Sequence, residues 1–259
     1  MEFCKTLAVT LKRVDYSNTS QIATFYTLNY GKLQALARGS KRMGKKAPGS
    51  IDLFSYNEII FLKKEPGSLH LLTEWELLED FPAFRKEIER FYSACYVVEL
   101  LNKLSEEGET DKPLFHLLLD TLYSLSRDNN KDLSLLAFEL QLLKHLGYLP
   151  GLGECTQCGK KFPRNSGAVF SPFQRGLVCK TCSGHSEVGA RPAPNMAGFQ
   201  RAVPLQLSPP ALGTANFLAG CKLSALNRLH VPQKVREELK RLSTEYLSQI
   251  WGRPVGTWR

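Results

Sequence analysis

Four of the seven cysteines form two C-x-x-C pairs, and this arrangement is typical of a metal site. The pairs are Cys155 with Cys158 and Cys179 with Cys182, separated by 20 residues, a spacing at the edge of the range found in zinc sites. Four thiolates complete a tetrahedral Zn²⁺ shell and leave no position for water or substrate. The spacing therefore predicts one structural Zn²⁺ in a module over residues 153–184.

Other interpretations of these cysteines remain open. A redox dithiol would need one exposed pair of low pKa on a thioredoxin-like βαβ pattern, whereas the segment after Cys158 is typical of a hairpin. Four unrelated free thiols are a further alternative, and His185 could replace one ligand because it follows Cys182 by three residues. The odd number of cysteines argues against a disulfide framework.

A basic stretch near the N-terminus is the second group of residues that could have a chemical role. No Asp or Glu occurs between Asp15 and Asp52, although the chain has 34 Lys and Arg against 25 Asp and Glu, a formal charge of +9. The stretch includes six candidate DNA-binding residues: Lys32, Arg38, Lys41, Arg42, Lys45 and Lys46. Phosphates attract such residues without regard to base sequence, so nucleic-acid binding is predicted. A simple solvated loop is the alternative.

Aromatic residues near the basic stretch could stack on unpaired bases. The candidates are Phe25, Tyr26, Tyr30, Phe54, Tyr56 and Phe61. Most aromatic side chains in so small a domain are expected in its core. Because side chains alternate along a strand, Phe25 and Tyr26 should lie on opposite faces, so at least one of them could point outwards.

Residues 1–80 must position the basic stretch, and their pattern predicts strands. Five short segments rich in β-branched and aromatic residues are separated by Gly, Pro or Asn. Five strands in this span favour a small β-barrel of the OB type. A Sm-like or SH3-like barrel has a similar strand count and stays open as an alternative.

The pattern changes to helical from Pro82 onwards. A long amphipathic helix is predicted, with Ile88, Phe91, Tyr92, Cys95, Val98 and Leu101 on its apolar face. Two helices follow, of which the second is apolar on most faces and should be central, and two more follow the cysteine module. The fold class is therefore α+β, with an OB domain over 1–80 and a helical domain carrying the zinc finger over 81–259. A Pro-, Ala- and Gly-rich segment at about 184–200 is expected to be a mobile loop.

The sequence also argues against several classes of protein. The N-terminal apolar run is too short for a signal peptide, and no run approaches the 18 apolar residues of a membrane span, so a cytoplasmic protein is expected. The chain has no P-loop, no H-E-x-x-H and no G-x-S-x-G motif. A closed four-cysteine site also offers no open metal position, so an enzyme is not expected.

The order of several short motifs resembles RecO, the family of bacterial recombination mediator and annealing proteins. The segments "TLNYGK", "ARGSKR" and "IDLFSYNEIIF" are similar to the family's N-terminal OB segment. "FELQLLKHLGYLP" resembles its central helix, and "CTQCG" with "LVCKTC" matches the zinc module of many members. The likeness extends over nearly the whole chain.

The resemblance implies a DNA repair and recombination function. It implies binding of single- and double-stranded DNA, annealing of complementary strands coated by single-stranded DNA-binding protein (SSB), and loading of RecA together with RecR, at the nucleoid. By position it makes Arg38, Lys41 and Arg42 candidates for backbone contacts. Family members hold the SSB C-terminal tail on the helical domain, where Lys144 and His145, beside Leu143 and Leu146, are candidates. An RNA-binding OB/zinc protein and a protein-docking scaffold are the alternatives.

Overall fold

The structure, a computed structural model, describes residues 2–41, 51–65, 67–128, 130–149, 151–163, 165–171, 176–183 and 205–251. The chain divides into two compact units, Met1–Lys131 and Asp132–Arg259. The expected loop at about 184–200 lies outside the described residues. Among the helices that are described, none is both long enough and apolar enough to cross a membrane.

Five strands of the first unit close into a β-barrel. They are β1 (Glu2–Asp15), β2 (Gln21–Thr27), β3 (Gly31–Ala37), β4 (Tyr56–Lys63) and β5 (His70–Glu79). Their order around the barrel is β1-β2-β3-β5-β4, with β3 and β5 parallel and the other pairs antiparallel. This is the strand order of the OB fold, so the barrel expected from the strand pattern is confirmed.

The barrel closes because β1 is long enough to pair with two neighbours. Its first half pairs with β4 and its second half with β2, and the register shifts between Thr10 and Lys12 where the strand bends. Such a bulge lets one strand turn a corner without losing its pairing. Phe25, Ile59 and Phe61 fill the interior, and the small residues Ala23 and Ala35 face each other across β2 and β3.

Three helices complete the first unit: α1 (Ala83–Lys86), α2 (Ile88–Leu104) and α3 (Lys112–Arg127). The Asp111 side chain accepts a hydrogen bond from the Leu114 N–H at 2.9 Å and so caps the start of α3.

The apolar face expected for α2 is partly wrong. Ile88 and Tyr92 are 65% and 51% exposed, whereas Arg90 is buried. The guanidinium of Arg90 donates hydrogen bonds to the carbonyl oxygens of Leu125 and Asp128 at the end of α3. These two bonds, together with an ion pair between Nε and the Glu87 carboxylate at 2.6 Å, satisfy the buried charge, so α2 turns a polar residue inwards.

The second unit is built around α4 (Lys131–His145), which starts at the last residue of the first unit. Nine residues of α4 are buried, including Leu136, Phe138 and Leu140, which confirms the expected central position of this helix. The other helices among the described residues of this unit are α5 (Lys180–Ser183), α6 (Pro209–Leu218), a 3-10 turn (Leu223–Arg228) and α7 (Gln233–Trp251).

The strands of the second unit form one small sheet beside these helices. They are β6 (Ala168–Ser171), β7 (Gly176–Val178) and β8 (Leu205–Leu207), in the order β7-β6-β8. Phe170 of β6 packs on Tyr246 of α7, with ring centroids 4.4 Å apart. This contact joins the sheet that carries the cysteines to the longest helix of the unit.

Candidate metal centre and nucleic-acid interface

The four cysteines converge on one point of the second unit. The Sγ atoms of Cys155, Cys158, Cys179 and Cys182 all lie within 4.8 Å of one another. The first pair lies on the turn between the bridged residues Glu154 and Lys161, and the second pair lies at the end of β7 and in α5. Among the residues that the structure describes, no other group of three or more Cys, His, Asp or Glu side chains lies close enough to share an ion.

Backbone hydrogen bonds shape the cysteine turn for a ligand. The Cys155 N–H donates to the carbonyl of Lys160 at 2.9 Å, and the Gly159 N–H donates to the carbonyl of Cys155 at 2.8 Å. Gly159 has φ +69°, which a residue with a side chain adopts only at a cost. The Cys179 N–H donates to the Cys155 Sγ at 3.3 Å, a contact that favours a negatively charged sulfur.

The thiols differ sharply in their affinity for a proton. Burial alone would raise the pKa of Cys155, but hydrogen bonds from the Cys179 and Cys158 backbones outweigh it and lower the pKa to about 6. A hydrogen bond from the Cys182 backbone lowers the pKa of Cys179. The hydrogen bond with Cys179 raises the pKa of Cys182 to about 12. The cluster therefore favours a first thiolate and resists the last, as expected of four sulfurs that need a cation between them.

The packing around the cysteines also fits a structural metal. Cys155 is 1% exposed and packs with Val169 and Val178, while Phe162 covers the cluster from one side. Four sulfur donors in one pocket suit Zn²⁺ and leave no open coordination position. The donor set therefore fits the ion predicted from the spacing. His185 lies outside the described residues.

The candidate DNA-binding cations are placed differently from one another. Arg38 and Lys41 are exposed on the segment that follows β3, whereas Lys32 is only partly exposed. Arg42, Lys45 and Lys46 lie outside the described residues.

Lys32 has an internal role. Its Nζ donates hydrogen bonds to the carbonyl oxygens of Asn102, at 2.7 Å, and Ser105, both at the C-terminal end of α2. A cation at this position satisfies carbonyls left without partners at the end of a helix and interacts favourably with the helix dipole. Lys32, the Lys of the "TLNYGK" segment, therefore attaches the end of α2 to the barrel.

The same segment brings the barrel unusually close to the α2–α3 connection. The Thr27 Oγ1 donates to the Gly31 carbonyl at 2.8 Å and accepts from the Tyr30 N–H at 3.0 Å. Gly31 has φ +63°, and a Cβ placed there would lie 2.0 Å from the Glu109 carbonyl oxygen. Only glycine permits this approach.

The exposed cations of the segment after β3 lie at one end of the barrel. The register pairs Asp15 with Gln21 and Gln21 with Ala37, so the 16–20 loop lies beside the end of β3. The Lys41 Nζ lies 2.8 Å from the Asp15 Oδ2, and this hydrogen bond holds the pKa of Asp15 below its usual value.

The other acid at this end of the barrel is also paired. The Arg13 Nη1 lies 3.3 Å from the Asp52 Oδ1. Both acids that border the basic stretch therefore have cationic partners, while Arg38 has no ion-pair partner among the residues described.

The aromatic candidates are mostly internal. Phe25, Phe54 and Phe61 are buried, and so is Tyr26, which corrects the expectation that Phe25 or Tyr26 could point outwards. Burial raises the pKa of Tyr26, and the acids Asp111 and Glu109 add to the effect.

Two exposed aromatic residues of the barrel, Phe3 and Tyr16, were not among the stacking candidates. Tyr16 directly follows β1 and is 64% exposed. The signal for it was the segment "DYSNTS", in which an aromatic residue stands within a polar turn and has no strand neighbours to cover it.

The candidate partner-binding residues lie at the end of α4. Lys144 and His145 are exposed, and the Lys144 Nζ donates to the Ala219 carbonyl at 3.3 Å. Leu143 is fully buried and so cannot line a surface, while Leu146 is partly exposed. The structure thus leaves the two polar residues and Leu146 available at this position.

Comparison with known proteins gives matches over nearly the whole chain. Residues 1–81 match the family described as "Recombination protein O N terminal", and residues 85–259 match "Recombination protein O C terminal".

Individual relatives agree with the family matches. A protein named DNA repair protein RecO from Rhodopirellula baltica is 34% identical over 177 residues, 68% of this chain and 66% of the relative. Proteins of the same name from Caldanaerobacter subterraneus subsp. tengcongensis and Acetivibrio thermocellus are 30% and 26% identical, over 95% and 96% of this chain and 92% of each relative.

Proposed function

The chain belongs to the RecO family of DNA repair and recombination proteins, and from this premise we propose that it binds DNA through the cationic end of its barrel and anneals complementary strands. The observation that carries the proposal is the exposed Arg38 and Lys41 beside the 16–20 loop, where both neighbouring acids are already paired. The basic residues Arg42, Lys45 and Lys46 follow these two residues in the sequence.

Annealing needs no covalent step in this proposal. Two complementary strands repel each other because each carries a phosphate charge at every nucleotide. Cations at one end of the barrel offset that repulsion and hold the backbones without reading their sequence. The protein then acts as a binding surface for single- and double-stranded DNA rather than as an enzyme, and it works at the nucleoid in the cytoplasm.

The proposal includes the partners that family membership suggests. The protein reaches coated DNA through the acidic C-terminal tail of SSB, for which Lys144 and His145 offer exposed positive or polar groups at the end of α4. With RecR it then promotes loading of RecA onto the DNA. One Zn²⁺ on the four cysteines stabilises the module beside α7. The OB domain ends near residue 80, where the two family matches also divide, while the compact unit that contains it continues through α3 to Lys131.

Annealing of two complementary oligonucleotides, each coated with SSB, tests the proposal directly. Fluorescence energy transfer between the strands reports the rate with and without the protein. The wild-type protein should accelerate annealing, and the R38E/K41E variant should lose most of that acceleration. A matched K234E/K240E variant changes the formal charge by the same amount, on exposed residues of α7. This variant should retain the acceleration of annealing.

Binding of labelled single strands at several salt concentrations sharpens the test. Each lost phosphate contact should reduce the slope of log K against log salt by about 0.7 for single strands, so R38E/K41E should lose about 1.4. A salt-independent affinity would contradict electrostatic binding. No acceleration by a metal-loaded protein would favour an RNA-binding or scaffold function.

A further inference from the structure

We propose that Tyr16 is a stacking platform for an unpaired base of single-stranded DNA. The inference deepens the proposed function and rests on it, because it adds a base contact to a surface otherwise defined by charge. Aromatic rings that accept stacked bases in this way bind all four bases and give affinity for single strands over duplexes.

Tyr16 offers the ring area that stacking needs. Of the other aromatic residues in the described part of the barrel, Tyr30 packs edge-on against Phe61 at 5.3 Å, and Tyr56 lies 6.4 Å from Phe115. Tyr16, by contrast, is 64% exposed and has no ring neighbour among the described residues.

The loop that carries Tyr16 is held in place by its own backbone. The N–H groups of Tyr16 and Ser17 both donate to the Ser20 carbonyl, at 3.0 and 3.2 Å. The Lys41 N–H donates to the Thr19 carbonyl at 3.2 Å and so ties the loop to the segment after β3. A fixed loop lowers the entropy that base binding must overcome.

The charges near the loop favour a DNA backbone at the same place. Tyr16 directly follows Asp15, whose carboxylate is bound by Lys41, and the exposed Arg38 lies on the segment just before Lys41. A strand whose phosphates contact these cations would bring its bases within reach of the 16–20 loop. Ring and cations together form the combination that binds single strands without sequence preference.

Phe3 is as exposed as Tyr16 but lies in a different charge environment. It is 67% exposed but lies at the opposite end of β1, next to Glu2 and close to the Lys5–Glu58 ion pair. The register pairs Glu2 with Lys63, so carboxylates and cations are mixed beside Phe3. It therefore provides a matched control for the loss of an exposed barrel ring.

The test measures binding of two probes of equal charge to the full-length protein. The probes are a labelled oligothymidylate and a phosphodiester of the same length without bases. Tyr16→Ala should weaken oligothymidylate binding by about 5- to 150-fold, the range for loss of one stacked base, and leave binding of the base-free probe unchanged. Tyr16→Phe and Phe3→Ala should both retain wild-type affinity for oligothymidylate. Thermal unfolding verifies that each variant is folded.

The outcomes separate this inference from the proposed function. If the wild-type protein binds neither probe, the proposed function fails. If the wild-type protein binds but Tyr16→Ala weakens both probes equally, or neither, the stacking role is overturned while electrostatic binding stands. An equal loss for duplex DNA would also overturn it, because bases within a duplex are not available to the ring.

Discussion

The barrel and the cysteine module reach stability by different physical routes. The barrel has five strands of 7 to 14 residues, all joined edge to edge, around a core that includes Phe25, Ile59 and Phe61. The module has strands of four, three and three residues, and its own buried cluster is Cys155, Val169 and Val178. The barrel buries enough apolar surface to fold, whereas we expect the module to depend on a bound metal ion.

This difference separates two kinds of functional residue. On the barrel, Arg38, Lys41 and Tyr16 are exposed additions to a scaffold that does not need them, so their loss should alter binding and leave the fold intact. In the module, the proposed zinc site makes the cysteines themselves the scaffold, because the free energy of metal binding then contributes to folding. Loss of a cysteine should therefore alter the fold far more than loss of a surface cation.

Removal of the metal should unfold the module and spare the barrel. Cys155→Ser takes away the most buried ligand, and we expect zinc content to fall from a stoichiometric level to a small fraction of it. Hydrogen–deuterium exchange should show lost protection over 153–183 and unchanged protection in β1–β5. Cys221→Ser is the matched control, since that thiol lies outside the cluster. Stoichiometric zinc in Cys155→Ser would refute the four-cysteine site.

Acidic pH should act in the same direction as the mutation. Protons compete with zinc for the thiolates, and even Cys155, whose pKa is lowered to about 6, becomes protonated below that value. Zinc release followed with a chromogenic chelator should therefore increase as the pH falls from about 7 to about 5. A zinc content that is independent of pH would argue against thiolate ligands.

The sequence predicted both regions through the same kind of signal, a short pattern with a strict geometry. Alternation along β4 and the C-x-x-C spacing each have one simple structural solution, and the structure contains both. The buried face of α2 was predicted less well, because the guanidinium of Arg90 is held inside by the Glu87 carboxylate and by carbonyls at the end of α3, which are distant in the sequence. The internal hydrogen bonds of Lys32 were not predicted for the same reason, since its acceptors are the carbonyls of residues 102 and 105.

Gly31→Ala should be the most damaging single change in the barrel. The added Cβ would meet the Glu109 carbonyl oxygen at 2.0 Å, on a backbone with φ +63°. We expect the free energy of unfolding to fall by about 3–5 kcal/mol, measured by urea denaturation. Protection from hydrogen exchange should decrease in β3 and at 105–111 but not in the cysteine module.

Gly67 provides the control for the backbone term alone. It has φ +77° but nothing within 4 Å of an added Cβ, so Gly67→Ala should cost about 1–2 kcal/mol from the left-handed conformation. The difference between the two variants measures the close approach of the barrel to the α2–α3 connection. Equal losses would mean that the connection moves aside, and that the barrel is more tolerant than its packing indicates.

Lys32→Met should have the smallest effect on stability. It tests whether this lysine supports the fold of the barrel or belongs to its DNA-binding surface. Methionine keeps much of the aliphatic stem but removes the hydrogen bonds to the Asn102 and Ser105 carbonyls, so we expect a loss of about 1–2 kcal/mol in unfolding free energy. The slope of DNA affinity against salt should stay at the wild-type value. If Lys32 contacts a phosphate instead, that slope should fall by about 0.7 while the stability stays unchanged. The two measurements on one variant therefore decide whether the basic stretch belongs entirely to the surface or begins with a residue of the scaffold.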